Sequence, residues 1–283
     1  MIEATQRTPL VIAIAPTGAR KGKADHASIP IAPEEIVAEA RACGEAGATM
    51  IHLHVRDREG GHTLDADAYR PAINALHAAL GAEMVVQMTT EAVGRYTAEQ
   101  QIAAVEALQP EAVSVAIREI VPDDASEERA AAFFTWLSRE GVLPQIILYA
   151  PEEIAGYAEL RQRGVIPDSH HSLLFVLGRY AKDQRSSPKD LLPFVTEYES
   201  RAIEVPWMVC AFGGRESDCA ATAISLGGHA RVGFENNHYR PDGSIAASNA
   251  DAVSSVAAVA NAIARPLARR PATYEILGGG LSP

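Results

Sequence analysis

The sequence predicts a single (β/α)8 barrel of the TIM type, and three observations carry that prediction. The 283-residue chain alternates short apolar, β-branched runs with helical segments eight times, and no hairpin signal separates them. Near-continuous apolar strands between helices are what a parallel sheet buried on both faces requires, and about 250 residues is the usual size of a closed eight-unit barrel. The rival architecture, a doubly wound open sheet, would carry a glycine-rich dinucleotide fingerprint after its first strand. Here that turn reads Pro16-Thr17-Gly18-Ala19 instead. No repeat or interdomain linker stands out. Residues 1–283 are therefore expected to form one domain with a short C-terminal extension over 267–283.

The elements follow in order. Residues 10–15 read as the first strand, stopped by Pro16. Pro33-Glu34-Glu35 opens a helix, because proline suits the first turn and acids there face the positive end of the helix dipole. That helix ends at Gly47, and the second strand follows over 49–55. A helix over 65–80 is closed by Gly81, a strand covers 83–89, and a helix covers 97–108. Next come a strand over 112–117, a helix over 124–139 closed by Gly141, and a strand over 145–149. Pro151-Glu152-Glu153 starts a helix that ends by Gly164, before a strand over 172–177 and a helix over 188–199. The last units are strands over 207–212 and 229–234 with helices over 217–226 and 247–264.

Composition narrows the function classes. With 36 acidic and 25 basic side chains the net charge is −11, which argues against a nucleic-acid or membrane-surface partner. Cys43, Cys210 and Cys219 show no CxxC or paired spacing, so a reducing cytoplasm is the expected setting. The start of the chain is polar, without a signal pattern, and no apolar run approaches the roughly 18 residues of a membrane span.

The second strand carries the chemistry. Side chains alternate across a strand, so His52 and His54 share one face while Ile51, Leu53 and Val55 take the other. Two imidazoles at a strand end are placed to hold one metal ion, and histidine is the commonest metal ligand. Barrel active sites lie at the C-terminal strand ends, and Glu235 closes the eighth strand. In a closed barrel only the first strand separates these two ends. Two histidines and a carboxylate with an open fourth position form a catalytic zinc pattern, and ferrous iron takes the same set. Arg231 shares parity with Glu235 and should face the lumen, where a cation needs a carboxylate or phosphate partner or a buried ion pair. Thr89, Thr90 and Glu91 end the third strand and Ser114 lies on the fourth, offering hydroxyls and a carboxylate near the same mouth.

Taken together, these strings resemble the β-keto acid cleavage enzymes over nearly the whole chain. Pro16-Thr17-Gly18-Ala19, Pro33-Glu34-Glu35, Glu45-Ala46-Gly47-Ala48 and His52-Leu53-His54-Val55-Arg56-Asp57 carry the resemblance in the first half. Phe175-Val176-Leu177-Gly178, Gly227-Gly228-His229, Arg231-Val232-Gly233-Phe234-Glu235 and Ser248-Asn249-Ala250 carry it in the second. The resemblance implies a barrel, zinc on His52, His54 and Glu235, and usually a homotetramer. It also implies reaction of a β-keto acid with acetyl-CoA to give acetoacetate and a new CoA thioester. Arg231 matches an arginine that holds substrate or developing charge, and Thr89 and Ser114 match hydroxyl positions that contact substrate.

The sequence also departs from that pattern. The family commonly places an aspartate of its base machinery directly after the ligating glutamate, but here Asn236 stands there, and an amide cannot take up a proton. Glu91 and His238 are the available substitutes, and the position of Glu91 at a strand end favours it. Arg20 stands where members acting on 3-keto-5-aminohexanoate have an acid. A cation there disfavours an amine and favours an anionic or polar distal group. Arg179, Lys182 and Arg185 replace a glycine-rich stretch, either to meet CoA phosphates or as an ordinary solvated loop. Ala116 and Arg118 also depart from the family's asparagine and small residues. A zinc hydrolase that works without CoA is the alternative reading, and a binding protein or inactive paralogue is the third.

Overall fold

The computed structural model describes residues 7–168, 170–270 and 272–278. The strands are β1 (Ile12–Ile14), β2 (Met50–Leu53), β3 (Val55–Arg56), β4 (His62–Thr63), β5 (Val85–Thr89), β6 (Ala112–Ala116), β7 (Leu143–Leu148), β8 (Ser172–Leu177), β9 (Trp207–Ala211) and β10 (His229–Val232). Eight of them close into a parallel barrel in the order β1-β10-β9-β8-β7-β6-β5-β2. Around it lie α1 (Pro33–Ala46), α2 (Ala66–Leu80), α3 (Ala98–Leu108), α4 (Ile117–Ile120), α5 (Glu127–Arg139), α6 (Glu153–Gln162), α7 (Leu191–Ser200), α8 (Glu216–Ser225), α9 (Asn249–Ala262) and α10 (Ala272–Ile276). The predicted (β/α)8 barrel is the observed fold.

Strand parity divides the core in two. Ala13, Met50, Val85, Leu143, Leu174 and Met208 point into the lumen and pack on one another. Ile12, Ile51, Val86, Val113 and Phe175, of opposite parity, pack outward against the helices. The start of the C-terminal extension pairs in parallel with the chain before β1, at Leu10 and Leu267. Ala268 and Leu277 then join the lumen cluster. The barrel floor is thus apolar and closed, and its polar side chains are displaced toward the opposite mouth.

Strand ends shift by one or two residues, as at Leu143–Leu148 and His229–Val232, and two further differences from the expectation have physical reasons. A hairpin does interrupt the alternation: β3 and β4 pair antiparallel, Val55 with Thr63 and Arg56 with His62. Strands of two residues are too short to show a period in the sequence. Asp57 makes the turn, its Oδ1 accepting the Gly61 N–H at 2.7 Å while its own N–H donates to the Gly61 carbonyl at 2.8 Å. The last long helix spans Asn249–Ala262 rather than 247–264. Asp251 takes the N–H groups of Ala247 and Ser248 as an N-terminal cap, and Ala264 has left-handed φ of 56° at the other end. Alanine content extends the helical pattern past both stops.

Candidate metal centre

The alternation of β2 puts Met50 and then His52 into the lumen, and His54 follows where the strand gives way to the hairpin. Both imidazoles are buried. Desolvation, reinforced by Arg231 at His52 and by the neighbouring His52 and His62 at His54, pushes their pKa values well below the usual range. Both rings are therefore neutral at physiological pH, the form that ligates metal. The register of β2 and β5 sets Gln87 opposite His52. Its Oε1 accepts from His52 Nδ1 at 2.8 Å, which leaves the Nε2 lone pair facing the site. Gln87 is held in turn by Gln145, at 3.4 Å. This is the outer support that metal-bound histidines ordinarily have.

Glu235 reaches the same point from the far side of β1. Gly233 has φ of +136°, and a Cβ on it would lie 2.6 Å from the Ala15 carbonyl oxygen. Only glycine makes that turn. The N–H groups of Asn236 and Asn237 both return to the Gly233 carbonyl, at 2.8 and 3.0 Å. Glu235 Oε2 consequently lies 3.7 Å from His52 Nε2 and 3.6 Å from His54 Nε2, and the two nitrogens are 3.1 Å apart. All three ligand atoms fall within 4.8 Å of one another. Glu235 Oε2 has no hydrogen-bond partner although it is buried. Lone pairs converging on one point repel unless a cation sits among them, so the donor set fits a divalent metal ion.

The rest of the His52-to-Asp57 string builds the wall. Arg56, on β3, donates to the carbonyls of Gly18 at 2.6 Å, Ala19 at 2.7 Å and Lys21 at 2.7 Å. It staples the loop after β1 over the site. Gly18 has φ of +70°, and a Cβ there would stand 2.7 Å from Glu235 Cγ. The loop and the ligand are packed face to face.

Most of the expected site residues meet here. Arg231 Nη2 lies 3.5 Å from Glu235 Oε1, and its Nε and Nη1 are buried without partners. Thr89, Glu91, Tyr149 and Arg179 line an inner cavity with His52, Arg231 and Glu235. Arg20 and Lys21 line an outer one that shares Glu91, Arg179 and Glu235. Among the expected residues, Thr90, Ser114, Asn236 and the candidate ligand His54 line neither cavity. Thr90 donates its hydroxyl to the Ser114 carbonyl at 2.9 Å, Ser114 lies deeper in the lumen, and Asn236 points into the wall toward Glu216 and Cys210. Of the loop cations, Arg179 turns inward to Glu91 at 3.0 Å, while Lys182 and Arg185 stay exposed. His238 also lies outside both cavities, with its Nε2 3.1 Å from the Phe234 carbonyl. Sequence reasoning did not single out Lys21, Gln87, Tyr149 or Glu216. Lys21 adjoins Arg20, but the functional position of Gln87 becomes visible only once strand register is known.

With this geometry in view, the family model for beta-keto acid cleavage enzyme matches residues 9–278. The chain belongs to the β-keto acid cleavage enzyme family. A 3-keto-5-aminohexanoate cleavage enzyme from Acetoanaerobium sticklandii is 32% identical over 276 residues, covering 95% of this chain and 98% of that protein. A 3-oxoadipate:acetyl-CoA acetyltransferase from Cupriavidus necator is 28% identical, covering 95% of each chain. Among solved structures, a binary complex of ObcA with oxaloacetate superposes with a TM-score of 0.72 at 15% identity, over 90% of this chain and 68% of that one. At that identity the likeness is one of fold.

Proposed function

We propose that this enzyme uses acetyl-CoA to cleave a β-keto acid bearing an anionic or polar distal group, giving acetoacetate and a new acyl-CoA. The observation that carries the reading is the convergence of His52, His54 and Glu235, of which His52 and Glu235 line a cavity together with Arg231 and Glu91. These three residues would hold the ion, which we assign as zinc, and when bound it would polarise the substrate carbonyl as a Lewis acid. Arg231 offers its unpartnered Nε and Nη1 to the substrate carboxylate or to developing negative charge. Glu91 is the base. Its backbone N–H donates to Thr89 Oγ1 at 3.0 Å and its carboxylate is held by Arg179, so it is oriented toward the cavity it lines. The proton from the carbon next to the keto group passes to Glu91, and that carbon attacks the acetyl thioester. The released CoA thiolate adds to the β-carbonyl, and cleavage of the adjoining C–C bond leaves the new acyl-CoA and the enolate of acetoacetate, which takes back the proton held by Glu91.

Arg20 and Lys21 support the substrate choice. They bring two cations to the outer cavity, where an amine would be repelled and a carboxylate held. The 3-oxoadipate-utilising relative is consistent with a dicarboxylate in this family. A homotetramer in the cytoplasm belongs to the same proposal. One observation favours hydrolysis without CoA as a second reading: the residue after Glu235 is an amide turned away from the cavity. Incubating zinc-loaded protein with β-keto acids of varied distal charge, with and without acetyl-CoA, separates the two. The proposal expects new thioesters only with acetyl-CoA, fastest for distal carboxylates. Equal consumption without acetyl-CoA would establish the hydrolase.

A further inference from the structure

Behind the metal centre lies a buried carboxylate that the reading above does not use. Glu216 opens α8 and is only 1% exposed. Its Oε1 accepts the Gly233 N–H at 3.0 Å and Asn236 Nδ2 at 3.2 Å, and its Oε2 accepts Asn237 Nδ2 at 3.4 Å. With Nδ2 committed to Glu216, the Asn236 amide has one orientation, and its Oδ1 accepts from the Cys210 thiol at 3.3 Å. Cys210 Sγ in turn accepts from Arg231 Nη2 at 3.2 Å, the same nitrogen that lies 3.5 Å from Glu235 Oε1. A continuous chain of contacts therefore runs from α8 through an amide and a thiol to the cation on the candidate metal ligand. Burial, the largest influence, lifts the Glu216 carboxyl to about 8 against the pull of its donors. An exposed acid such as Asp218 serves the helix dipole without that desolvation cost.

We propose that Glu216 is a positioning residue of this site. Through the Gly233 N–H it fixes the turn that presents Glu235. Through the Asn236 amide it fixes Cys210 and Arg231 against the same carboxylate. The inference rests on the metal-centre reading and adds to it a support that lies outside the cavity.

The test is zinc affinity, measured by competition with a chromogenic chelator, together with kcat, KM and melting temperature. The proteins are wild type, Glu216→Ala, Glu216→Gln, Asn236→Asp and the double variant Glu216→Gln/Asn236→Asp. Glu216→Ala leaves the buried Gly233 N–H without its acceptor and the Asn236 and Asn237 amides with only their bonds to the Arg231 and Tyr239 carbonyls, and it is expected to weaken zinc binding by about 10- to 100-fold, the usual effect of losing an outer support. Glu216→Gln retains an acceptor oxygen and loses less. Asn236→Asp removes the N–H donor and sets two acids in the contact now spanning 3.2 Å, and the double variant restores one acid facing one amide. It should recover most of the lost affinity, and kcat should follow affinity while KM for acetyl-CoA holds. Unchanged zinc affinity in folded Glu216→Ala, or single losses that merely add in the double variant, would overturn the inference. If Glu216→Ala does not fold, rescue or its absence in the double variant decides. A wild-type protein that binds no zinc would instead overturn the metal reading itself.

Discussion

His52 uses its two ring nitrogens differently: Nδ1 is committed to Gln87, and Nε2 faces Glu235 at 3.7 Å, where the proposed metal ion would bind. Removing that commitment frees the ring to rotate and change tautomer. Gln87→Leu is therefore expected to weaken zinc binding about 10- to 100-fold with little change in fold, as chelator competition would show. Removal of a ligand itself, by His54→Ala or Glu235→Gln, should cost at least about 100-fold in the same assay. Arg20 acts on a different quantity. Arg20→Glu should shift kcat/KM from carboxylate-ended toward amine-ended keto acids by at least about tenfold, a single charge-assisted contact being worth about 1.5–3 kcal/mol. Unchanged relative rates across such a panel would remove Arg20 from substrate selection. The two histidines were legible from parity alone, and Glu235 from its place at a strand end. Gln87 and Glu216 were not, because their roles depend on register and on which helix backs which turn.

At the scale of elements, the site is assembled by a hairpin and two glycine turns rather than by the long helices. Arg56 holds three carbonyls of the loop after β1, and a lysine could satisfy only part of that set. Arg56→Lys is expected to cost about 2–4 kcal/mol in denaturant unfolding and to raise KM, since the loop it staples carries Arg20 and Lys21. Gly18→Ala forces a Cβ against Glu235 Cγ at a left-handed φ of +70°. It should impair zinc binding more than it lowers the melting temperature. The helices were legible because capping acids, prolines and terminal glycines mark them locally. The β3–β4 hairpin was not, since its pairing is two residues deep and its turn rests on one aspartate.

For the molecule as a whole, barrel closure followed from eight apolar runs, and an apolar floor concentrates polar groups at one mouth. That arrangement has a titration signature. Glu216 keeps its proton to a pH of about 8 in the folded protein, against an ordinary value of 4.5. Over that interval the unfolded chain has lost a proton that the folded chain retains, so this group's contribution to stability falls as pH rises. His52 and His54 act in the opposite sense, because neutral buried rings lose stability only as pH falls below 6.5. Between pH 6.5 and about 8 the metal-free protein should therefore lose stability relative to Glu216→Gln, by up to about 1.4 kcal/mol per pH unit. Parallel pH profiles for the two proteins would contradict that assignment.

In the proposed reaction acetyl-CoA is consumed as a carbon partner at the His52–His54–Glu235 site. The most direct measurement follows acetyl-CoA labelled isotopically in its acetyl group through one turnover of zinc-loaded protein with a carboxylate-ended β-keto acid. Label is expected in the acetyl half of acetoacetate and none in the acyl chain of the new thioester. Substrate consumption with unlabelled products, at a rate indifferent to acetyl-CoA, would contradict it.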